Sequence, residues 1–360
     1  MNCLAKNCIT KQRDSNLELF RIITMLLIVA HHYVVNSGLM EVIRGGGNSG
    51  ITAKSIFYLL FGAWGKTGIN CFVLITGYFM CKSQITKKKF IKLLIQIYFY
   101  KIVIYFIFLF SGYDPFSLKT LLKAILPFTQ VDKNFTGCFL IFYLCIPFLN
   151  ILIGNMTKRQ HELLLVLALS VYVIIGTVLN VSFNYVTWFC ILYFISSYIR
   201  LYPIPLFENT KFWLICTLIS VLVSCMSIIG MLWIGEKVGK YNPYFFVADS
   251  NKIFAVCTGV SSFMLFKNLK IKYNPFINAV ASTCFGVLLI HANSDTMRRW
   301  LWGDLLHNVE MYDLRYFVLH VFGCVIGIFM ICSLIDLLRR RIEVIFMYWR
   351  KRGIISLHSL

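Results

Sequence analysis

The feature that most constrains this chain is a series of apolar blocks, each about long enough to cross a lipid bilayer. A membrane-spanning helix needs about 20 consecutive apolar residues, and residues 17–35, LELFRIITMLLIVAHHYVV, form such a block. Hydrophobic residues make up 59% of the chain and charged residues only 14%, whereas soluble domains are about 25% charged. We therefore predict an all-α polytopic membrane protein.

The apolar blocks predict about ten transmembrane helices. The sixth block is short and rich in Ser and Tyr, so it gives the weakest signal of the series. The approximate spans are 18–37, 56–80, 90–111, 136–154, 162–180, 184–201, 211–233, 244–266, 276–293 and 315–337.

The basic residues predict the orientation of these spans. If the N-terminus is cytoplasmic, inner segments hold roughly twice as many Lys and Arg residues as outer segments, as the positive-inside rule expects. An even number of spans then places both termini in the cytoplasm. The net charge of +20 is thus explained by basic residues that flank the apolar segments, next to the membrane lipid. We expect no nucleic-acid partner, because the basic residues form no stripe with exposed aromatics.

The domain organisation follows from the same blocks. We expect a cytoplasmic N-terminal segment at 1–17 with no cleavable signal peptide, a transmembrane domain at 18–337 and a basic cytoplasmic tail at 338–360. The thirteen cysteines are scattered and form no CxxC pair. They are expected to pack as small apolar side chains, and no metal site is predicted.

Polar residues inside the first span point to a site. Arg21 and His32 are eleven residues apart, so their side chains share one helix face about 16 Å apart along the axis, while His31 points about 80° away. Glu18 lies one turn before Arg21 and can pair with it. This face predicts a site entered from the cytoplasmic end, with His32 as the central histidine.

Plainer explanations of these residues remain open. Arg21 lies near the inner end of its helix, where an arginine can extend its guanidinium to the lipid headgroups. A histidine inside a membrane can be a hydrogen-bonded packing residue, although histidine is also the side chain that takes and returns a proton near neutral pH.

Four ordered blocks resemble the membrane-bound acyltransferase 3 family, whose members acylate carbohydrates. The family's first helix carries an arginine, ten intervening residues and a histidine, here Arg21 and His32. Two departures are Thr76, where the family has Ser before Gly-Tyr, and a lysine-rich stretch at 86–96 where relatives have arginines. The blocks are NLELFRIITMLLIVAHHY (16–33), GKTGINCFVLITGYFM (65–80), ASTCFGVLLIHAN (281–293) and CSLIDLLRRRIE (332–343).

The resemblance implies a stand-alone carbohydrate O-acyltransferase of the bacterial inner membrane. It would move an acyl group, most often acetyl, from acyl-CoA to a hydroxyl of an exported polysaccharide or its lipid-linked precursor. Acyl-CoA is then a donor substrate, and no resident cofactor is expected. His32 becomes a catalytic base or a transient acyl carrier, and Arg21 binds the donor or stabilises negative charge.

The resemblance also implies supporting residues. Glu18 would orient Arg21. Lys88 and Lys92, in the basic start of the third span, would attract the phosphates of coenzyme A, although a plain topology signal explains them as well. His291 matches the Leu-Ile-His end of a late family helix, where it would hydrogen-bond the acceptor, relay a proton, or simply cap the structure.

The alternative function is a multi-span glycan transporter, flippase or polymerase without acyl transfer. Such proteins are expected to show broken helices lined by Gly and Pro, and this chain has only seven prolines. Glycan composition separates the two functions. Loss of O-acetyl groups at normal chain length indicates the enzyme, whereas loss of export or length indicates transport.

Overall fold

The computed structural model describes residues 14–45, 51–126, 135–179 and 181–357, with side chains described as far as Ile345. These residues form helices and connecting turns, and no strand occurs among them. The all-α prediction is therefore confirmed for this part of the chain. The predicted N-terminal segment 1–17 lies outside the described residues except for its last four positions.

The described residues form sixteen α-helices. Two of them contain or adjoin π-helical turns, Ser170–Ile175 and Arg299–Leu305. The helices are α1 Ser15–Val35, α2 Leu39–Gly45, α3 Ala53–Gly62, α4 Gly65–Met80, α5 Lys87–Phe110, α6 Leu118–Ile125, α7 Phe135–Asn155, α8 Lys158–Leu169, α9 Gly176–Val178, α10 Tyr185–Leu201, α11 Thr210–Val238, α12 Ile253–Asn268, α13 Pro275–Ala281, α14 Cys284–His291, α15 Asp295–Arg298 and α16 Phe317–Leu357.

Each of the ten predicted spans overlaps at least one helix, although the eighth, predicted at 244–266, begins nine residues before α12 does. Among the described residues, seven helical stretches are long and apolar enough to cross a membrane, and a further candidate bends by 94° between Pro275–His291 and Asp295–Asp313. The remaining two, α10 and α12, are shorter apolar helices. A multi-pass membrane protein is thus confirmed, while the count of ten stays a prediction.

Side-chain caps fix where several helices begin. Each cap accepts a hydrogen bond from a backbone N–H that the first helical turn leaves unpaired. The caps are Thr86 before α5, Thr157 before α8, Asn184 before α10 and Asn209 before α11. Short polar residues therefore mark the boundaries of otherwise apolar segments.

The core of the bundle lies around α4. Within Ala53–Met80, 67% of the most apolar stretch is buried, whereas the corresponding value for Thr210–Val238 is only 11%. α4 packs against α1, α10 and α12. The lipid-facing helix α11 therefore forms an outer layer, and α1 and α4 form the centre in which polar side chains can meet.

Hydrogen bonds between helix ends group the segments by membrane side. The side-chain amide of Asn16 donates to the carbonyls of Phe266 and Lys267 at 3.0 Å each, and that of Asn150 donates to the Met80 carbonyl at 3.3 Å. Both contacts join ends that the charge distribution places on the cytoplasmic side. The grouping fits the predicted alternation, while the location of the termini stays a prediction.

The ninth predicted span is broken between α13 and α14. Arg340 of α16 donates to both the carbonyl and the hydroxyl of Ser282 in the break, and the Thr283 hydroxyl donates to Ser333 Oγ at 3.0 Å. In a membrane, freed backbone groups must find partners inside the protein. α16 supplies those partners and so holds the short helix α14 in place.

α16 continues through the domain boundary predicted at residue 337. The helix runs without interruption to Leu357, and Arg339 is buried with only 8% of its surface exposed. The described part of the predicted tail is thus an extension of the last helix, and its final three residues lie outside the described residues.

Candidate functional site

Two histidines from distant parts of the chain meet at the ends of α1 and α14. His32 Nδ1 lies 3.0 Å from His291 Nε2, and their ring centroids are 5.1 Å apart. His291 is fully buried, and His32 is half-buried. α1 and α14 run in the same direction, because the start of α1 bonds to Asn278 in the preceding α13 and its end bonds to His291.

The hydrogen bonds determine which nitrogen of each ring carries a hydrogen. His291 Nδ1 lies 2.6 Å from the Val287 carbonyl oxygen, which can only accept, so Nδ1 is the donor. In a neutral His291 ring, Nε2 is then the acceptor, and His32 must donate to it from Nδ1. The neutral His32 ring therefore carries its lone pair on Nε2. That atom is free to accept a proton.

His32 lines a cavity of about 600 Å³ at the C-terminal half of α1. From α1, the cavity is lined by Met25, Ile28, His31, His32, Val35 and Asn36. Its rim is formed by α6 and by the segment after α14, both of which the predicted topology places outside the membrane. The site therefore opens toward the predicted outer side, rather than toward the expected cytoplasmic end.

Arg21 does not line this cavity. Its guanidinium forms an ion pair with Glu18 one turn earlier on α1, as the spacing predicted. The side chains of Arg21 and Glu18 are 20% and 5% exposed. Met25 is the lining residue nearest the start of α1, and it forms the floor of the cavity. Arg21 lies one turn earlier on α1 and therefore outside the cavity.

His31 also lines the cavity, whereas the spacing argument assigned only His32 to it. His31 Nδ1 lies 2.6 Å from the Gly62 carbonyl at the end of α3. A Cβ atom on Gly65 would lie 2.2 Å from His31 Cγ, so the start of α4 passes directly against this ring. The lack of a side chain at Gly65 is thus what makes room for the His31 ring.

A charged cluster that the sequence motifs did not predict borders the cavity, and two of its members, Lys66 and Tyr185, line it. Lys66 Nζ donates to Tyr185 Oη at 2.6 Å, and Tyr185 Oη donates to Asp249 Oδ1 at 2.7 Å. Lys66 also lies 3.4 Å from Asp249. The available signal was the position of Lys66 inside the second predicted span, 56–80, since a charged residue within a membrane usually faces the protein interior.

The predicted donor-binding lysines lie elsewhere. Lys88 and Lys92 are exposed in the first two turns of α5, and Lys92 Nζ lies 4.0 Å from Glu343 at the far end of α16. Neither lysine lines the cavity around His32. They occupy the end of the bundle opposite to the histidine pair.

A second cavity of about 840 Å³ adjoins His291. Its lining is almost entirely apolar and comes from α5, the Arg299–Leu305 turn and α16, including Gly323 and Gly327. Phe108 lines both cavities. The histidine pair therefore stands between a polar cavity and an apolar one.

The described residues contain no group of three or more His, Cys, Asp or Glu side chains arranged to hold a metal ion. The side chains that line the cavity supply imidazole, ammonium, guanidinium, phenol and carboxylate groups. Such a set can transfer protons and stabilise negative charge.

Comparison with known proteins identifies one family. A family described as an acyltransferase domain matches residues 14–337. This range includes His32, His291 and the cluster of Lys66, Tyr185 and Asp249. No curated protein and no solved structure matches the chain.

Proposed function

As the chain belongs to the acyltransferase 3 family, we propose that it is an integral membrane O-acyltransferase using acyl-CoA as donor and a carbohydrate hydroxyl as acceptor. The acyl group is most often acetyl. The acceptor is a cell-surface or exported polysaccharide or its lipid-linked precursor, and the setting is the cytoplasmic membrane of a bacterium. The family match identifies the chain as an acyltransferase. The donor, the acceptor and the type of membrane are proposed here.

The observation that carries the proposal is the hydrogen-bond chain from His32 through His291 to Val287. Because Nδ1 of His32 donates to His291, Nε2 is the basic atom. In the proposed reaction, Nε2 removes the proton of the acceptor hydroxyl while its oxygen attacks the thioester carbonyl. The C–S bond then breaks, and the proton passes from His32 to the departing thiolate sulfur.

The same nitrogen also suits a covalent route. His32 Nε2 would attack the thioester carbonyl while the C–S bond breaks and the thiolate leaves, which gives an acyl-imidazolium. The acceptor hydroxyl would then attack the acyl carbon as the N–C bond breaks, and its proton would move to the freed Nε2 and from there to the thiolate. Both routes need the lone pair on Nε2 and both leave His32 Nδ1 bonded to His291. His32 is the proposed catalytic residue in either case.

Arg21, Lys88 and Lys92 are proposed to bind the donor's phosphates at the cytoplasmic end, with Glu18 orienting Arg21. Arg21 lies about 16 Å below His32 along α1, and its charge is held by Glu18. A donor bound there would need a passage past Met25, which forms the floor of the His32 cavity. Opening of that floor is therefore part of the proposal for a cytoplasmic donor.

The apolar cavity beside His291 supports a lipid-linked acceptor. Its lining offers almost no hydrogen-bonding groups, so it suits a hydrocarbon chain, whereas the polar cavity at His32 suits a sugar hydroxyl. An acceptor with both parts would place its hydroxyl near His32 and its chain on the other side of His291.

The test is transfer of labelled acetyl groups by purified protein in lipid nanodiscs. Radiolabelled acetyl-CoA is mixed with membranes from source cells that lack the gene, and label is counted in the glycan and lipid-linked fractions. We expect the wild type to transfer label and His32→Asn to lose at least about 100-fold of the rate. Asn retains an amide donor for His291 but has no basic nitrogen.

His307→Asn is the matched control, because His307 is exposed and adopts a positive φ of 49°, which Asn tolerates. It should transfer label at the wild-type rate. Absence of transfer by the wild type, together with shortened or unexported glycan in the deletion cells, would instead support the transporter or polymerase alternative.

A further inference from the structure

The cluster of Lys66, Tyr185 and Asp249 has no role in the proton transfer described above. Its three members come from the start of α4, the start of α10 and the connection before α12. The hydrogen bonds run in one direction, from the ammonium to the phenol and from the phenol to the carboxylate. The cluster therefore fixes the position of one positive charge.

Lys66 and Tyr185 line the same cavity as His32. Lys66 follows Gly65, the residue packed against the His31 ring, and it lines the cavity together with both His31 and His32. An ammonium has three N–H donors. Two of them face Tyr185 and Asp249, which leaves one for a group in the cavity.

Acyl transfer needs positive charge at the carbonyl oxygen. When the hydroxyl attacks the thioester, the carbonyl oxygen becomes an oxyanion, and preorganised donors aimed at it lower the barrier. Arg21 lies outside the cavity, so it does not meet this need there.

Three other cations line the cavity and are less suited to that role. Lys123 is exposed on α6 at the rim. Arg298 is paired with Asp295 at 3.1 Å. Lys101 donates to the Asn293 carbonyl at 3.3 Å, and the charges that act on it are those of Arg298 and Asp295 at the rim. Lys66 is the cavity cation whose position is fixed by two partners, Tyr185 and Asp249.

We propose that Lys66 is the catalytic group that stabilises the oxyanion formed during acyl transfer, and that Tyr185 and Asp249 are positioning residues for its ammonium. The inference rests on the proposed function and assigns a residue to the same site. While the new C–O bond forms, the carbonyl π electrons move to oxygen, which accepts a hydrogen bond from Lys66 Nζ. They return when the thiolate leaves, so Lys66 keeps its proton throughout.

The structural alternative is that Lys66 and Asp249 only form an ion pair that holds α4 near α12. The two roles give opposite expectations for paired substitutions. If the pair is merely structural, Lys66→Met leaves Asp249 uncompensated, and adding Asp249→Asn should restore activity. If Lys66 stabilises the oxyanion, removing the carboxylate cannot replace the missing ammonium.

The experiment compares Lys66→Met, Asp249→Asn and the double variant Lys66→Met/Asp249→Asn in nanodiscs, with acetyl-CoA as the varied substrate. We expect kcat to fall about 100- to 1000-fold in Lys66→Met, the usual loss when an oxyanion donor is removed, with KM for acetyl-CoA nearly unchanged. Asp249→Asn should lose much less, because the ammonium remains. The double variant should stay as slow as Lys66→Met.

Recovery of the double variant to near the wild-type rate would overturn the inference, as would a Lys66→Met enzyme whose kcat is unchanged. The double variant also provides a test if Lys66→Met alone fails to accumulate, because it contains no unpaired carboxylate. A wild-type protein that transfers no label would contradict the proposed function instead, so the two failures are distinguishable.

Discussion

His32 Nδ1 and His291 Nε2 lie 3.0 Å apart, although 259 positions separate the two residues in the chain. His291 is in turn anchored by its own helix, through the Val287 carbonyl. An imidazole that only donates through Nδ1 presents a basic Nε2. The pair therefore selects one tautomer of His32, without a carboxylate at this position.

The first prediction concerns His291. His291→Phe keeps a ring but removes the acceptor for His32 Nδ1, so His32 can adopt the unproductive tautomer. We expect the transfer rate to fall about 10- to 100-fold, the size typical of losing a group that orients a functional imidazole. His291→Gln, whose amide oxygen can accept, should retain more activity. Combining His291→Phe with His32→Asn should add no further loss, and a larger combined loss would show that His291 acts separately from His32.

The second prediction separates the adjacent histidines. His31→Ala should reduce transfer less than His32→Ala does, because His31 donates to the Gly62 carbonyl and serves mainly to stabilise the break between α3 and α4. Losing that hydrogen bond should lower stability by about 1 kcal/mol. Rates and thermal midpoints in detergent check both statements. Equal loss of transfer in the two variants would contradict the assignment of His32 as the central residue.

The third prediction tests the close approach of α4 to α1. An added Cβ at Gly65 would lie 2.2 Å from His31 Cγ and 2.5 Å from its Cβ, so Gly65→Ala forces the ring or the helix to move. We expect a stability loss of about 1–3 kcal/mol, as for other overpacked cores, together with reduced transfer. Gly154→Ala is the control, since nothing lies within 4 Å of its added Cβ. Similar thermal midpoints for the two variants would refute the steric argument.

The fourth prediction concerns Asp336, a fully buried carboxylate of α16. It accepts hydrogen bonds from Tyr100 at 2.8 Å, Arg339 at 3.0 Å and Arg340 at 2.6 Å. Asp336→Asn leaves both arginines without this counter-charge and should cost about 3 kcal/mol. Asp313→Asn, at a carboxylate that is 88% exposed, should cost less than about 1 kcal/mol. The comparison is made by thermal unfolding, and equal shifts would show that the buried network contributes little.

Much of the fold was predictable, because local properties decide it. Apolar length identified all ten candidate segments, and the polar caps mark where several of them begin. The break inside the ninth segment was not predictable in the same way. The residues Ser282 and Thr283 give no strong helix-breaking signal, and the break persists because Arg340 and Ser333 of another helix bind its polar groups.

The site was predictable only in part. The eleven-residue spacing placed Glu18, Arg21 and His32 along one helix, and the ion pair of Arg21 with Glu18 is present. The spacing predicted His32 alone at the site, whereas His31 lines the cavity as well, because Gly65 of the neighbouring helix leaves room for its ring. The spacing also did not predict that Arg21 lies outside the cavity or that Lys66 lines it.

The sequence alone determined that the chain crosses a membrane as helices, because a long apolar segment in lipid must satisfy its backbone hydrogen bonds within itself. It also determined which side chains share a face of α1, since helical periodicity is local. The tertiary structure decided that His291 meets His32 and that Lys66, Tyr185 and Asp249 meet one another. Those encounters depend on how separate helices pack, and helix packing in lipid is set by close side-chain fit between segments that the sequence does not place side by side.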